Sequence, residues 1–186
     1  MLEMLENGQK SNKMNLIYKF KNVKSMVFKN GLVKKEDIDM KIAIGCDPNA
    51  EEAKQEIIEY IAKKGYGETK DFGSEDPIYA HTAIAVAEVV ASGEYDRGVL
   101  ICGTGIGMSI AANKVKGAYA ALVSDVYSAE RARLSNDANI VCMGAFTTGN
   151  KVRELLVDAF FENEFVKGCR SQVKVDAFVE YDQKRG

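Results

Sequence analysis

The chain has 186 residues, enough for one domain with a substantial core, and its 46% hydrophobic content is ordinary for a globular protein. Its formal net charge of −2 at pH 7 gives no electrostatic basis for binding nucleic acid or an anionic membrane. No apolar segment approaches the roughly 18 residues that a membrane-spanning helix requires, and the polar N-terminus has no signal-peptide pattern. We therefore expect neither nucleic acid nor a membrane as a partner.

The four cysteines, Cys46, Cys102, Cys142 and Cys169, lie far apart and never form a Cys-x-x-Cys pair. This spacing is not a disulfide framework and indicates a reducing, cytoplasmic environment. Because His81 is the only histidine, a zinc site with the usual ligand spacing is not expected either.

The first 39 residues differ from the rest and are rich in Lys, Asn and Met. Their weak periodicity around Leu16 to Val27 predicts a short amphipathic helix or a hairpin. We divide the chain into an N-terminal extension, 1–39, and a domain, 40–186. Two interpretations of the extension stay open: a translated leader ahead of a true start at Met40, or a native flexible segment.

From Met40 onward, apolar strand-like runs alternate with helical segments. The predicted strands are 41–45, 66–72, 98–102, 118–123 and 139–143. The predicted helices are 50–64, 79–92, 108–114, one from Ser124 or Asp125 to about 134, one capped by Thr147 or Thr148 to about 163, and a final one after 168. Strands that are apolar throughout favour a parallel sheet covered on both faces. With right-handed crossovers, this pattern predicts a doubly wound, Rossmann-like three-layer α/β fold with a five-stranded parallel sheet.

A glycine-rich loop follows the central predicted strand, where Cys102 precedes Gly103, Gly105 and Gly107. Ligands of doubly wound folds bind beyond the carboxyl ends of the strands, and a glycine loop before a helix suits an anion. A thiol at that point should ionise more readily than usual, although a buried structural cysteine is the alternative. A nucleotide-binding fingerprint fits poorly. It would have its third glycine one residue later, and it normally follows the first strand, whereas this loop follows the central one.

Two further places offer polar groups with alternative roles. Asp47, at the end of the first strand, either caps the next helix or binds a ligand. Arg170 and Lys174 stand four residues apart, on one face if helical, and form either a solvated basic surface or a phosphate clamp.

These residues resemble the type B ribose-5-phosphate isomerases and the related galactose-6-phosphate isomerases from Met40 to about Asp182. The matching motifs are Lys-Ile-Ala-Ile-Gly-Cys-Asp at 41–47, Ile-Cys-Gly-Thr-Gly-Ile-Gly-Met-Ser-Ile-Ala-Ala-Asn-Lys at 101–114, Tyr-Ser-Ala at 127–129, Asn-Asp-Ala-Asn at 136–139 and the basic stretch 168–174.

The resemblance implies an aldose–ketose isomerase of a phosphorylated sugar, of the ribose 5-phosphate/ribulose 5-phosphate type in the pentose phosphate pathway. The reaction would need no metal or cofactor and pass through a cis-enediolate, with Cys102 as the base and Thr104 assisting the hydroxyl protons. The implied substrate-binding residues are Asp47, Gly103, Gly105, Ile106, Gly107, Asn136, Arg170 and Lys174. Asp47 and Asn136 would hold sugar hydroxyls, and the loop amides would bind the enediolate oxygen. Arg170 and Lys174 would bind the phosphate. The site would lie between subunits of a homodimer or a dimer of dimers.

The chain departs from the family pattern at four positions. Pro48 and Ser135 each stand where the family has a histidine, and the histidine at the position of Ser135 opens the sugar ring. Phe146 replaces a basic residue, and Lys174 replaces an arginine. One hypothesis is a tetrose or tetrulose phosphate substrate, because a four-carbon sugar phosphorylated at its last carbon cannot close a furanose ring. The rivals are ordinary pentose phosphate isomerisation, with Asp137 or water opening the ring, and a non-catalytic sugar-phosphate-binding protein.

Overall fold

The computed structural model describes residues 27–29, 32–34, 40–73 and 75–185. The chain divides into two units, Met1–Ile38 and Asp39–Gly186. In the first, strand β1 (Val27–Lys29) pairs antiparallel with β2 (Leu32–Lys34). The rest of the segment predicted as a helix or hairpin lies outside the described residues, and the origin of residues 1–39 stays a prediction.

The second unit contains one sheet of five parallel strands. They are β3 (Met40–Cys46), β4 (Gly67–Asp71), β5 (Arg97–Cys102), β6 (Ala120–Leu122) and β7 (Ile140–Gly144). Their order is β4-β3-β5-β7-β6, and every neighbouring pair is parallel. The predicted five-stranded parallel sheet is confirmed. Strand β6 is shorter than predicted because Ala118 donates its amide to Val115 in a turn before the ladder begins.

Six α-helices accompany the sheet, and a single 3₁₀ turn, Pro48–Ala50, precedes the first. They are α1 (Glu51–Lys64), α2 (Tyr79–Ala91), α3 (Ile106–Ala112), α4 (Val126–Leu134), α5 (Asn150–Phe161) and α6 (Gln172–Lys184). Helices α2 and α3 pack together, whereas α5 packs against both α1 and α4, so helices cover the two faces of the sheet. The doubly wound α/β fold is therefore confirmed. No helix in the described ranges is long and apolar enough to cross a membrane.

A continuous apolar cluster packs the central strands against α2 and α3. Its members include Ala43 of β3, Val86 of α2, Leu100 of β5, Met108 of α3 and Ile140 of β7. Successive strand residues point to opposite faces, so the neighbouring isoleucines of β3 are buried on the other side. This core holds β3 and β5 side by side and thereby sets the relative position of the loops that follow them.

Two helix ends show well-known capping arrangements. Gly65 ends α1 in the left-handed conformation, with φ of 65°, and Asp125 caps α4 by accepting the amide of Ser128 at 2.8 Å. The prediction that Thr147 or Thr148 caps the next helix is wrong, because Gly149 occupies that position. The Thr148 hydroxyl instead donates to the carbonyl of Gly144 at 2.6 Å.

Candidate active site

The site begins where the winding of the sheet reverses, between β3 and β5. The helix after β3 packs with α5 on one face, and the helix after β5 packs with α2 on the other. The amide of Asp47 donates to the carbonyl of Ile101 at 3.1 Å, which joins the two strand ends. Asp47 and the loop after Cys102 therefore share the crevice in which doubly wound folds bind ligands.

Cys102 is the last residue of β5, and its side chain is 5% exposed. The amide of Gly105 donates to its Sγ at 3.0 Å. Gly105 is also the N-cap residue of α3, with φ of 78°. The turn from β5 into α3 therefore aims a backbone hydrogen-bond donor at the Cys102 sulfur.

The remaining cysteines lie in different environments. Burial raises the pKa of Cys46 to about 12 and raises the pKa of Cys142 well above its usual range. These two thiols stay protonated at neutral pH and suit a packing role. Cys169 is half-buried in the turn before α6. Cys102 is thus the thiol that the fold combines with a glycine loop.

Three amides of the glycine loop remain available to a ligand. Within the loop, Gly105 already donates to Cys102, and Ile106 donates to the Thr104 hydroxyl at 3.4 Å. In the described part of the chain, the amides of Gly103, Thr104 and Gly107 have no acceptor. They are the donors that a substrate oxygen beside the sulfur can use.

The loop glycines allow close packing that a side chain would prevent. A Cβ on Gly105 would lie 2.5 Å from Leu122 Cδ1 and 2.9 Å from the carbonyl carbon of Met143. Because the second contact is with backbone, it cannot be relieved by a rotamer change. This packing and the left-handed φ together require glycine at position 105.

Two aromatic rings enclose the loop, and the sequence analysis did not assign a site role to either. A Cβ on Gly107 would lie 2.5 Å from Tyr79 Cζ and 2.6 Å from its hydroxyl oxygen. A Cβ on Gly103 would lie 3.1 Å from Phe146 Cδ2. The glycine pattern indicates the close approach of some group, but it does not identify either ring, because Tyr79 and Phe146 lie far from the loop in sequence.

The Asp47 carboxylate accepts the amide of Asn49 at 3.0 Å and caps the 3₁₀ turn. The capping interpretation is therefore confirmed, while its contact with a substrate stays a prediction. The residue is 8% exposed.

Asn136 does not lie at this edge of the sheet. It belongs to the connection between α4 and β7, whose last residue, Asn139, accepts the amide of Gly98 at 2.9 Å. Gly98 is near the amino end of β5, about 13 Å of strand away from Cys102. Within one chain, Cys102 therefore lies at the carboxyl ends of the strands and Asn136 lies at their amino ends.

The polar groups beside Asn136 are held by arginines. The side-chain nitrogen Nδ2 of Asn136 donates to the backbone carbonyl of Arg131 at 2.9 Å. The guanidinium of Arg131 donates to the Ser135 hydroxyl at 3.4 Å. Asp137, at φ of 48°, accepts from the buried guanidinium of Arg133 at 2.9 Å. The Asp137 carboxylate thus serves an ion pair that fixes this turn.

The basic residues Arg170 and Lys174 are exposed and belong to different local structures. Arg170 lies in the turn before α6 and Lys174 in the first turn of that helix, so the predicted helical spacing does not apply to them. Neither makes an ion pair with a carboxylate in the described ranges. Farther along α6, Asp182 accepts the amide of Gly117 at 2.8 Å and anchors the helix to the start of β6.

A cavity of about 390 Å³ opens beside the ends of β3 and β4, next to this crevice. Its polar lining includes Lys54, whose buried ammonium lies 2.9 Å from Glu51 and 2.8 Å from Asp71. None of the predicted site residues lines it. The three charged groups form an ion-paired cluster that joins α1 to β4.

Comparison with known proteins agrees with this architecture. The family model described as Ribose/Galactose Isomerase matches residues 42–178. The chain is 51% identical over 148 residues to a ribose-5-P isomerase B of Listeria innocua, covering 78% of this chain and 99% of that protein. It is 40% identical over 148 residues to a D-erythrulose-4-phosphate isomerase of Pectobacterium atrosepticum, covering 78% and 97%.

A solved structure shows the same likeness in three dimensions. The ribose-5-phosphate isomerase B of Clostridium thermocellum superposes with a TM-score of 0.73 at 41% identity, covering 78% of this chain and 99% of that one. The sheet order, the glycine loop after β5 and these matches over most of the second unit lead to one conclusion. The chain belongs to the ribose/galactose isomerase family.

Proposed function

We propose that this protein interconverts an aldose phosphate and a ketose phosphate through a cis-enediolate, with Cys102 as the base. The observation that carries the proposal is the Cys102 sulfur, which accepts the Gly105 amide at the crevice between β3 and β5. The thiolate would remove the proton from the carbon next to the carbonyl. The protonated thiol, whose proton exchanges with solvent, would then deliver a proton to the former carbonyl carbon, so that the substrate is neither oxidised nor reduced overall.

The glycine loop would stabilise the intermediate. Proton removal puts negative charge on the former carbonyl oxygen, and the amides of Gly103, Thr104 and Gly107 have no competing acceptor in the described ranges. Donors preorganised toward developing charge each contribute about a hundredfold to a thousandfold in rate. The exposed Thr104 hydroxyl would carry the proton between the two sugar oxygens.

A second copy of the chain would complete the site. Asn136, which the resemblance assigns to substrate hydroxyls, lies at the opposite edge of the sheet from Cys102 in its own chain. Exposed apolar side chains surround the loop side of the molecule: Ile106, Ile110, Leu122, Val126 and Tyr127. A homodimer, alone or within a dimer of dimers, would cover this surface and bring Asn136, Arg170 and Lys174 of one copy to Cys102 of the other.

The first candidate substrate pair is ribose 5-phosphate and ribulose 5-phosphate. The relative that is 51% identical to this chain carries the name ribose-5-P isomerase B, and the match spans 99% of its length. Because ribose 5-phosphate is largely cyclic, whereas ribulose 5-phosphate is open, this candidate requires a group or a water molecule that opens the ring of the aldose.

The second candidate is a four-carbon sugar phosphate, which is always open. Ser135 stands where the resemblance places the ring-opening histidine, and the Asp137 carboxylate is engaged by Arg133 at 2.9 Å. Asp137 is thus poorly placed to act as a replacement acid. A relative 40% identical over 148 residues is named a D-erythrulose-4-phosphate isomerase.

Kinetics on a panel of four-, five- and six-carbon aldose phosphates tests the proposal. We expect turnover of at least one of them, with kcat/KM for erythrose 4-phosphate above that for ribose 5-phosphate if the substrate must be open. A preference for the pentose phosphate would select the first candidate. Binding of sugar phosphates without any turnover would overturn the isomerase proposal in favour of a binding protein.

A further inference from the structure

Phe146 forms one wall of the loop that carries Cys102. Its amide donates to the carbonyl of Gly103 at 3.0 Å, and its ring carbons Cδ2 and Cε2 lie 3.1 and 3.2 Å from the place of a Cβ on Gly103. The side chain is nevertheless 74% exposed. One edge of the ring therefore packs on the loop, and the rest faces the open side of the site.

The backbone holds this ring in place relative to the sulfur. The amide of Ala145 donates to the carbonyl of Cys102 at 2.8 Å, and Thr148 fixes the carbonyl of Gly144 from the other side. A Cβ on Gly144 would lie 2.9 Å from Thr104 Cα, so the loops after β5 and β7 are in direct backbone contact. The backbone segment that carries the Phe146 ring is thus hydrogen-bonded directly to Cys102.

An uncharged ring at this place discriminates between parts of a sugar phosphate. The face of a phenyl ring carries the negative part of its quadrupole, so it repels a phosphate dianion and packs well against C–H groups. A chain lying along the ring would place its carbons there and its phosphate elsewhere. Phosphate that reached the Gly103 side would find no charge partner in Phe146.

We propose that Phe146 is a specificity-determining residue that selects short sugar phosphates; this rests on the isomerase function proposed above. The ring packs against the carbon chain next to the reacting carbons. It also offers no cation to a phosphate on the Gly103 side. The residue acts on substrate choice and on KM, and leaves the proton transfer at Cys102 unchanged.

Three variants, Phe146→Ala, Phe146→Leu and Phe146→Arg, test this in the full chain with erythrulose 4-phosphate, ribulose 5-phosphate and inorganic phosphate as probes. We expect Phe146→Ala to raise KM for the tetrulose about tenfold with little change in kcat, and Phe146→Leu to recover most of that loss. Phe146→Arg adds a charge-assisted contact, so we expect the pentulose-to-tetrulose ratio of kcat/KM and the inhibition by phosphate each to increase about tenfold. Tyr181→Ala is the matched control, since that ring is 72% exposed on α6.

The inference is wrong if the ratio of kcat/KM is the same in the wild type and all three variants. It is also wrong if Phe146→Ala lowers kcat and leaves KM unchanged, because the ring would then support the loop instead of the substrate. Failure of the proposed function has a different signature: the wild-type protein itself would convert none of the sugar phosphates. That result would overturn both proposals, whereas an active wild type with an unchanged ratio overturns this one alone.

Discussion

Gly105 has two functions that depend on one backbone conformation. Its φ of 78° turns the chain from β5 into α3, and the same turn aims its amide at the Cys102 sulfur. A residue with a side chain would be strained at that φ and would meet the backbone of Met143. The electrostatic setting of the thiol is therefore inseparable from the geometry of the glycine loop.

We expect Gly105→Ala to lower the free energy of unfolding by about 1–3 kcal/mol, because it adds left-handed strain and a backbone clash. The aimed amide would shift with the loop, so kcat should fall as well. Urea denaturation and steady-state kinetics measure the two effects.

Gly149→Ala is the control for this substitution, because Gly149 has φ of −70° and open space where a Cβ would lie. We expect it to change stability by less than about 1 kcal/mol. Equal stability and kcat in the wild type and Gly105→Ala would refute the assigned role of Gly105.

Local sequence patterns predict some residues of the candidate site but do not identify others. Cys102 and the glycine loop follow each other in the chain, so a buried strand followed by glycines was enough to find them. Tyr79 and Phe146 come to the loop from α2 and from the loop after β7, through contacts that depend on how those elements pack. Such contacts leave no periodic signal.

At the scale of elements, one carboxylate ties α1 to α5. Asp158 of α5 accepts the hydroxyls of Tyr60 and Tyr66, at 2.8 and 2.6 Å, and the ammonium of Lys64 at 2.9 Å. Burial alone would raise the pKa of Asp158. The hydrogen bonds from Tyr66, Lys64 and Tyr60 outweigh that effect and hold the pKa below its ordinary value of about 4.

This shift predicts an acid-sensitive contribution to stability. Because the pKa of Asp158 is lower in the folded state, its contribution is complete above about pH 4 and is lost as the pH falls through the folded value. We expect Asp158→Asn to destabilise the fold by about 1.5–3 kcal/mol at pH 7 and by progressively less below pH 4. Urea denaturation across this pH range measures the difference.

Glu180→Gln supplies the comparison, because Glu180 pairs with Lys184 on the exposed surface of α6. Its effect should stay within about 0.5 kcal/mol at every pH. A constant difference between the wild type and Asp158→Asn from pH 7 to pH 3 would contradict the proposed linkage.

Element types were more predictable than element ends. All five strands of the sheet and the six helices occur in the predicted order, because most strands are apolar runs and each helix has its own pattern. Strand β4 is the polar exception, with the sequence Gly-Glu-Thr-Lys-Asp. Helix α3 starts at Ile106 instead of 108, since Gly107 in its first turn obscures the helical pattern. The cap at Gly149 was missed because two threonines nearby offered better-known capping chemistry.

At the scale of the whole molecule, the candidate site is divided between two edges of the sheet. Cys102 and Asp47 lie at the carboxyl edge, and Asn136 lies at the amino edge. This separation follows from the order of the elements, because Asn136 precedes β7 whereas Cys102 ends the parallel strand β5. A shared site between copies is the arrangement that we propose for bringing these residues together.

Assembly is therefore expected to be required for activity. We expect the wild-type protein to sediment as a dimer or tetramer, and Ile110→Glu to sediment as a folded monomer with little turnover. Burying an unpaired carboxylate in the interface would weaken association by about 2 kcal/mol or more. Analytical ultracentrifugation with parallel rate measurements tests this.

Leu155→Glu provides the control for assembly, since Leu155 is also an exposed apolar residue but lies on α5. It should assemble and turn over like the wild type. A wild-type monomer with full activity would contradict the shared site.

The central claim is that Cys102 moves the proton, and isomerisation in D₂O tests it most directly. With the substrate that the panel identifies, we expect wild-type protein to form product that carries solvent deuterium at the carbon receiving the proton. Cys102→Ala should slow conversion about a hundredfold to ten-thousandfold, whereas Cys169→Ala should match the wild type. Conversion by Cys102→Ala at the wild-type rate would contradict the account.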